Sequence, residues 1–286
     1  MTMPACAATT GAADLERRFG GLARLYGAVG AQRLRAARVA VVGLGGVGSW
    51  TAEALARSAV GAITLIDMDH VSESNTNRQL HALDGSYGKA KALAMAERIA
   101  AINPSCVVAA VDDFATPANA ATLVAGHDFV IDCSDDVPAK AALIAAARAA
   151  RVAIITCGAA GGRIDPLRIA QGDLARIVGD PLLARVRHRL RREHGFPRDG
   201  GRATRKFDVT AVYSDEPVRR PTAIDETGTL RARVAADLSC AGFGSAVAVT
   251  ATMGFVAASV ALNRLAQADA RSASAAREAC DTRPAA

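Results

Sequence analysis

The sequence predicts an α/β fold: a mostly parallel sheet with helices on both faces and antiparallel strands added after it. Three observations predict it. Short, continuous apolar runs alternate with helical periodicity from Arg38 to Thr156, as expected of strands buried on both faces by crossover helices. A glycine-rich turn joins the first strand to the first crossover helix, and polar, acid-rich clusters follow two strands at what becomes one edge of the sheet. With 286 residues, 51% of them hydrophobic and 22% charged, the chain has enough length for a sizeable core and too much apolar content for disorder. Much of that apolar content is alanine, so the total overstates core-forming power.

Residues 1–13 are small and polar and are expected to be disordered. Asp14–Ala37 reads as one or two helices with Leu15, Phe19, Leu22, Leu25 and Tyr26 on one face. Strands are expected at Arg38–Val42, Ile63–Ile66, Val107–Val111, Phe129–Asp132 and Val152–Thr156, and helices at Gly46–Ser58, Lys89–Ile102, Pro117–Val124 and Val137–Ala150. Beyond Gly158 the pattern changes. Arg163–Gln171 reads as a strand interrupted by a proline, Asp180–Glu193 as a basic helix and Lys206–Ser214 as a strand, a return through antiparallel strands on the same sheet. One domain is expected over residues 14–266, followed by a flexible tail at 267–286. Leu238–Leu262 carries no charge in 25 residues, enough to cross a bilayer. Its Ala, Gly, Ser and Thr gain little from hydrocarbon, so a buried core helix with a Gly-rich entry is expected, without membrane association.

Ala40-Val41-Val42-Gly43-Leu44-Gly45-Gly46-Val47-Gly48 places G-x-G-x-x-G directly after a strand and at the mouth of a helix. Gly43 permits the tight turn, Gly45 lets backbone N–H groups approach phosphate, and Gly48 allows close helix–strand packing. Asp67 ends the second strand 19 residues after Gly48, where a ribose hydroxyl would sit. This Rossmann-like unit points to an adenosine nucleotide and by itself leaves NAD and ATP open.

The following residues favour ATP. Asp67 to Gln79 packs acids, amides and Arg78 into 13 residues, and Lys91 follows Tyr87-Gly88-Lys89-Ala90 at a helix mouth. A hydride-transfer enzyme needs only a ribose acid here, whereas Arg78 and Lys91 suit a triphosphate, one as a fork and the other as a point charge. Lys89 reads as a solvated neighbour. Ile131-Asp132-Cys133-Ser134-Asp135-Asp136 ends the fourth strand at the edge where open sheets bind ligands. Asp135 there suits Mg²⁺ between phosphates. N-capping of the next helix by Ser134 and Asp135 is a compatible reading.

In fixed order, G-x-G-G-x-G, D-x-D-x-V-x-x-S-N-x-N-R-Q, G-x-x-K and D-C-x-D resemble the ubiquitin-activating-enzyme-like adenylyltransferases, the ThiF/MoeB/HesA superfamily. The resemblance runs from about Arg17 to Leu265. It implies ATP-dependent adenylation of a carboxylate with release of pyrophosphate. Gly43, Gly45, Gly46 and Gly48 would line the nucleotide and Asp67 would take the ribose. Asn75, Arg78 and Lys91 would contact phosphates, and Asp135 would hold Mg²⁺. Arg78, Lys91 and Asp135 are thus the catalytic candidates. Superfamily dimers imply an arginine reaching the neighbouring site, Arg18 or Arg24 here.

Arg18–Gly27, Thr76–Leu83 and Ser239–Ser245 resemble the tRNA-modifying branch of the superfamily. That branch implies adenylation of the threonyl carboxylate of threonylcarbamoyladenosine in tRNA, followed by cyclisation with loss of AMP. Cysteine desulfurase or sulfur-acceptor partners are implied by the resemblance alone. Branches acting on ubiquitin-like sulfur carriers usually carry two C-x-x-C pairs for zinc. This chain has six scattered cysteines and no such pair. The rival readings are a sulfur-carrier adenylyltransferase, an NAD-dependent oxidoreductase and a non-catalytic sulfur-transfer adaptor.

Charge supports RNA. Nine cations, among them Arg185, Arg187, Arg191, Arg192, Arg202, Arg205 and Lys206, face only two acids between residues 185 and 206. That local excess of seven exceeds the net +6 of the whole chain, as expected of a tRNA footprint reading phosphate and shape. The start of the chain lacks the pattern of a signal peptide, so a reducing cytoplasm is expected. Cys133, Cys157 and Cys240 lie near strand or helix ends. None is required as a nucleophile, because the substrate itself supplies the attacking group in a cyclisation.

Overall fold

The computed structural model describes residues 13–198, 205–219, 222–224, 230–232 and 243–267. Helix α1 (Leu15–Ala36) leads into β1 (Arg38–Val42), α2 (Gly48–Arg57), β2 (Ala62–Ile66), α3 (Lys91–Ile102), β3 (Val107–Val111) and α4 (Ala120–Val124). Then come β4 (Phe129–Asp132), α5 (Val137–Ala150), β5 (Ala153–Cys157), β6 (Ile169–Asp173), α6 (Pro181–Glu193), β7 (Thr210–Ser214), a short antiparallel pair β8 (Thr222–Ile224) and β9 (Leu230–Ala232), and α7 (Val247–Ala266). Seven strands form one sheet in the order β3-β2-β1-β4-β5-β7-β6. Only β6 runs antiparallel, against β7, while β7 pairs parallel with β5. The expected antiparallel return is therefore a single strand.

Side chains alternate across the sheet as strand geometry requires. Val39, Val41, Ile63, Leu65, Phe129 and Ile131 pack beneath α1, α2, α3 and α7. Ala40, Val42, Ile66, Val130, Ile154 and Ala211 pack against α4, α5 and α6. Both faces are covered over the central strands, which explains their unbroken apolar runs; the edge strand β3 is apolar yet largely exposed.

Three expectations shift for identifiable reasons. Leu25 is 74% exposed, while Phe19 is buried. At helical spacing Leu25 lies about 240° around from Phe19, outside the stripe shared with Leu22 and Tyr26. Arg163–Gln171 is not one strand: Ile164 and Asp165 donate their N–H groups to Glu216 Oε2 at 2.9 Å each, and Asp165 caps a 3₁₀ turn at Pro166–Arg168. Residues 206–209 also leave the ladder, because the Asp173 carboxylate accepts the N–H groups of Phe207 and Asp208.

Among the described residues, α7 is the one helix long and apolar enough to cross a membrane. It begins at Val247, and 238–242 of the uncharged run lie outside the described residues. Its Val249, Met253, Ala257, Ala258 and Ala261 are buried, and it packs on α1 and α2. A Cβ at Gly254 would stand 2.5 Å from the Val47 carbonyl oxygen, so this glycine lets α7 lie directly on the start of α2.

Candidate active site

A cleft of about 580 Å³ opens at the carboxyl ends of the strands, within the range of small-ligand sites. It lies where the strand order reverses between β1 and β4, the switch point at which open α/β sheets bind ligands. Gly43, Gly45 and Gly46 line it, together with Asp67, Asp69, Asn75, Arg78, Gln79 and Lys91, the β4 end at Cys133–Asp136, and Gly158–Ala160 after β5. Gly48 stands behind the turn. A Cβ there would fall 1.8 Å from the Gly43 carbonyl oxygen, and one on Gly43 would fall 2.9 Å from the Ser134 nitrogen. The turn and the β4 end are thus packed backbone to backbone. Gly43 also has φ +80°, the left-handed region that favours glycine.

Asp67 organises the floor. Its Oδ2 accepts the Leu44 N–H at 2.6 Å and its Oδ1 the Asp69 N–H at 2.8 Å. Lys91, buried at the first turn of α3, donates to Asp69 Oδ2 at 2.7 Å and stands 4.0 Å from Asp67 Oδ1. Burial pushes the Asp67 carboxyl above its ordinary value, and the Lys91 ammonium works against that rise. Asn75 accepts the Ser72 N–H through Oδ1 at 3.1 Å, fixing the 3₁₀ turn that presents Arg78. Arg78 Nη1 donates to the Ser74 carbonyl and to Asn77 Oδ1. Lys89 pairs with Glu97 in solvent at 2.7 Å.

The α5 cap is Asp136, whose side chain accepts from the Ala139 nitrogen at 2.7 Å. Ser134 instead donates its hydroxyl to Asp132 Oδ1 at 2.7 Å. N-capping by Ser134 and Asp135 is therefore corrected to Asp136. Asp135 is exposed on the cleft with no hydrogen-bond partner among the described residues, and so is available to a ligand.

Several residues at the site were not singled out from sequence. Asp69 is the direct partner of Lys91. Gln79 is buried on the cleft with Oε1 unpartnered. Asp132 and Lys140 form a fully buried ion pair at 2.9 Å, with Thr156 donating to the same carboxylate oxygen at 2.8 Å. The available signal was spacing: Lys140 lies eight residues after Asp132, from a strand end to the first turn of the next helix. The loop Asp113–Pro117 closes one side of the cleft, and its generic composition carried no signal.

His81 sits behind Lys91, 3% exposed, with both ring nitrogens unpartnered. Burial and the nearby Lys91 push its pKa down to about 4. The unfolded chain takes up this proton as pH falls through about 6.5, whereas the folded chain resists until about 4. Stability should thus fall across that window, by about 3 kcal/mol from this group. His81→Leu is expected to flatten the pH dependence of the denaturant midpoint between those limits; an unchanged slope would reject this assignment.

The basic segment is less uniform than its sequence. Leu182, Leu183, Val186 and Leu190 bury one face of α6, and Leu182 reaches the cleft. Arg185, His188 and Arg192 share the exposed face. Arg187 is half-buried, and Arg191 donates to the Pro197 carbonyl oxygen and stands 5.4 Å over the Phe207 ring. These two are thus partly packed while Arg185 and Arg192 face solvent. Arg205 and Lys206 are exposed; Arg202 lies outside the described residues. Arg18 donates to the carbonyls of Ala101 and Ile102 in its own chain.

Cys133 lines the cleft with its sulfur 3.8 Å from that of buried Cys157. The Cys133 hydrogen bond and burial hold the Cys157 thiol above its usual range. Burial pushes the remote Cys106 thiol up to about 11. Cys240 lies outside the described residues.

The sequence profile of the ThiF family matches residues 19–278. The chain is 49% identical over 253 residues to tRNA threonylcarbamoyladenosine dehydratase of Escherichia coli (strain K12), covering 87% of this chain and 93% of that protein. It is similar to the crystal structure of the E. coli tRNA N6-threonylcarbamoyladenosine dehydratase in complex with ATP, with TM-score 0.80 and 47% identity over 91% of this chain and 98% of that one. The E. coli protein in complex with AMP gives the same TM-score and identity over 92% of this chain and 100% of that one. The chain belongs to the ThiF family.

Proposed function

We propose that the protein is an ATP-dependent tRNA threonylcarbamoyladenosine dehydratase that adenylates the threonyl carboxylate of the modified adenosine. The substrate carboxylate attacks the α-phosphorus of ATP and pyrophosphate leaves. A group of the same nucleoside then closes on the activated carbonyl and AMP departs, carrying the oxygen that counts as the lost water. The observation that carries this reading is a single cleft at the sheet's switch point joining a glycine turn, Arg78 and Lys91, and the unbonded Asp135. Backbone N–H groups of Gly43–Gly48 and the two cations would hold the phosphates, and Asp67 would orient the ribose. The cations favour the departing pyrophosphate by stabilising charge that grows as the bond breaks.

Mg²⁺ fits this donor set, because magnesium takes one or two carboxylates and completes its shell with phosphate oxygens and water. Asp135 would hold it, and the bound ion would neutralise triphosphate charge. Among the described residues no cluster of three or more His, Cys, Asp and Glu is placed to hold a metal by itself. The domain would span residues 14–266 and act in the cytoplasm as a homodimer. With Arg18 tied to α3 of its own chain, Arg24 is the better candidate to reach a partner's site. Cysteine desulfurase or sulfur-acceptor partners rest on the family resemblance alone.

Nucleoside mass spectrometry of tRNA incubated with the protein and ATP tests the reaction. A nucleoside lighter by one water is expected; an unchanged nucleoside would point to a sulfur carrier or an adaptor role. For the RNA surface, changing exposed Arg185, Arg192 and Arg198 together to alanine should weaken tRNA binding irrespective of base sequence. The slope of log K against log salt should become shallower by about 0.7–0.9 per lost contact. ATP affinity should not move. Unchanged tRNA affinity and slope would return Arg185 and Arg192 on α6, and Arg198 after it, to solvated surface.

A further inference from the structure

We propose that Cys133 and Cys157 form an oxidisable dithiol in the floor of the nucleotide cleft, closed by a hydroperoxide to a disulfide that weakens ATP binding. This rests on the cleft being an ATP site. The parallel register of β4 and β5 pairs Asp132 with Thr156, so the next residues, Cys133 and Cys157, stand opposite each other. Neighbouring strands lie about 4.8 Å apart, inside the Cα separation a disulfide requires. The two sulfurs already meet at 3.8 Å on the same face of the sheet, where both join the core beneath α2 and α7.

Access and chemistry assign the order. Cys133 lines the cleft and Cys157 is 1% exposed, so a small peroxide entering the cleft meets Cys133 first. The raised Cys157 thiol agrees with that order. The Cys133 sulfur attacks one peroxide oxygen, the O–O bond breaks, and the other oxygen leaves as water or an alcohol with the thiol proton. The Cys157 sulfur then attacks the sulfenic acid, the S–O bond breaks, and a second water leaves. Two thiols are oxidised by two electrons and the peroxide is reduced by two.

The consequence for the nucleotide follows from packing. Closing the pair from 3.8 Å to a bond of about 2.05 Å acts on two chain segments that line the cleft, Cys133–Asp136 and Gly158–Ala160. Cys133 is tied directly to the turn, its N–H donating at 2.8 Å to the carbonyl of Val42, the residue before Gly43. Its Cβ stands 3.2 Å from where a Cβ on Gly48 would be, and its carbonyl carbon lies 3.0 Å from the corresponding position on Gly43. Displacement of Cys133 is therefore passed to the phosphate-binding turn.

The reduced full-length protein, exposed to hydrogen peroxide, alkylated and digested, should yield a peptide cross-linked between Cys133 and Cys157. Its Kd for ATP should rise about tenfold and return on treatment with a dithiol reductant. Cys157→Ala should bind ATP like the reduced wild type and show no reductant-reversible loss after peroxide. Absence of the cross-link, or a cross-link that leaves ATP affinity unchanged, would overturn the proposal while the reduced protein still binds ATP. A reduced protein that binds no ATP would remove the nucleotide reading, and this proposal with it.

Discussion

Asp135→Asn is expected to reduce ATP–pyrophosphate exchange by about 10²–10³-fold, the scale of losing one charge-stabilising group at a reacting phosphate. The folded state should hardly notice. Asp135 is exposed, makes no bond to the described chain, and leaves the helix cap to Asp136. Loss of exchange with an unchanged melting temperature would assign the carboxylate to the ligand rather than to the fold. Lys91→Ala should lose exchange on the same scale, with a different signature in stability. Lys91 is buried and paired with Asp69, and it opposes the burial that pushes the Asp67 carboxyl up, so its removal perturbs the floor as well as the phosphates. The asparagine variant is the cleaner test of chemistry and the alanine variant of organisation. Near-wild-type exchange in both would remove the adenylation assignment.

Much of the fold was legible because each crossover unit carries local signals that agree. The β1 turn needed glycines where backbones meet at 1.8 Å and 2.9 Å from a hypothetical Cβ, and no other residue type meets that constraint. Central strands buried on both faces have no alternation to misread, and four of the first five strands, the exposed edge strand β3 included, began or ended where their apolar runs did. Legibility failed where a side chain from a distant element replaced the ladder. Asp173 captures the N–H groups of residues 207 and 208, and Glu216 those of 164 and 165. Both turn apparent strand into irregular chain, and neither partner lies near in sequence. The basic helix was legible as a helix from its Asp180 cap to Glu193, but not in which of its cations face water. Composition counts cations, but the α6 stripe that packs on α5 also decides which of them face water. Arg187 and Arg191 flank that stripe.

Lys140 poses the sharpest case of a site residue invisible to motif reading, and its replacement carries the largest expected effect on stability. Its ammonium and the Asp132 carboxylate are both fully buried at 2.9 Å. Removing one member leaves a buried charge unpaired, at a cost of about 3–5 kcal/mol. Lys140→Met should therefore lower the thermal midpoint by roughly 10 °C. Pairing it with Asp132→Asn should recover a substantial part, because the amide strands no charge: its oxygen can still accept from Ser134, and its NH2 can donate to the Thr156 hydroxyl. The geometry gives the pair a further consequence. Asp132 Oδ1 holds the Ser134 hydroxyl and N–H, while Asp136 is fixed by capping α5. Asp135 is thus presented to the cleft between two anchored neighbours. The neutral double variant keeps the Ser134 bonds, reverses the one to Thr156 and discards the ion pair, so its exchange activity should follow its stability back toward wild type. If stability returns and exchange stays low, the charge itself acts on the cleft. If neither variant loses stability, the pair is better solvated than its burial indicates.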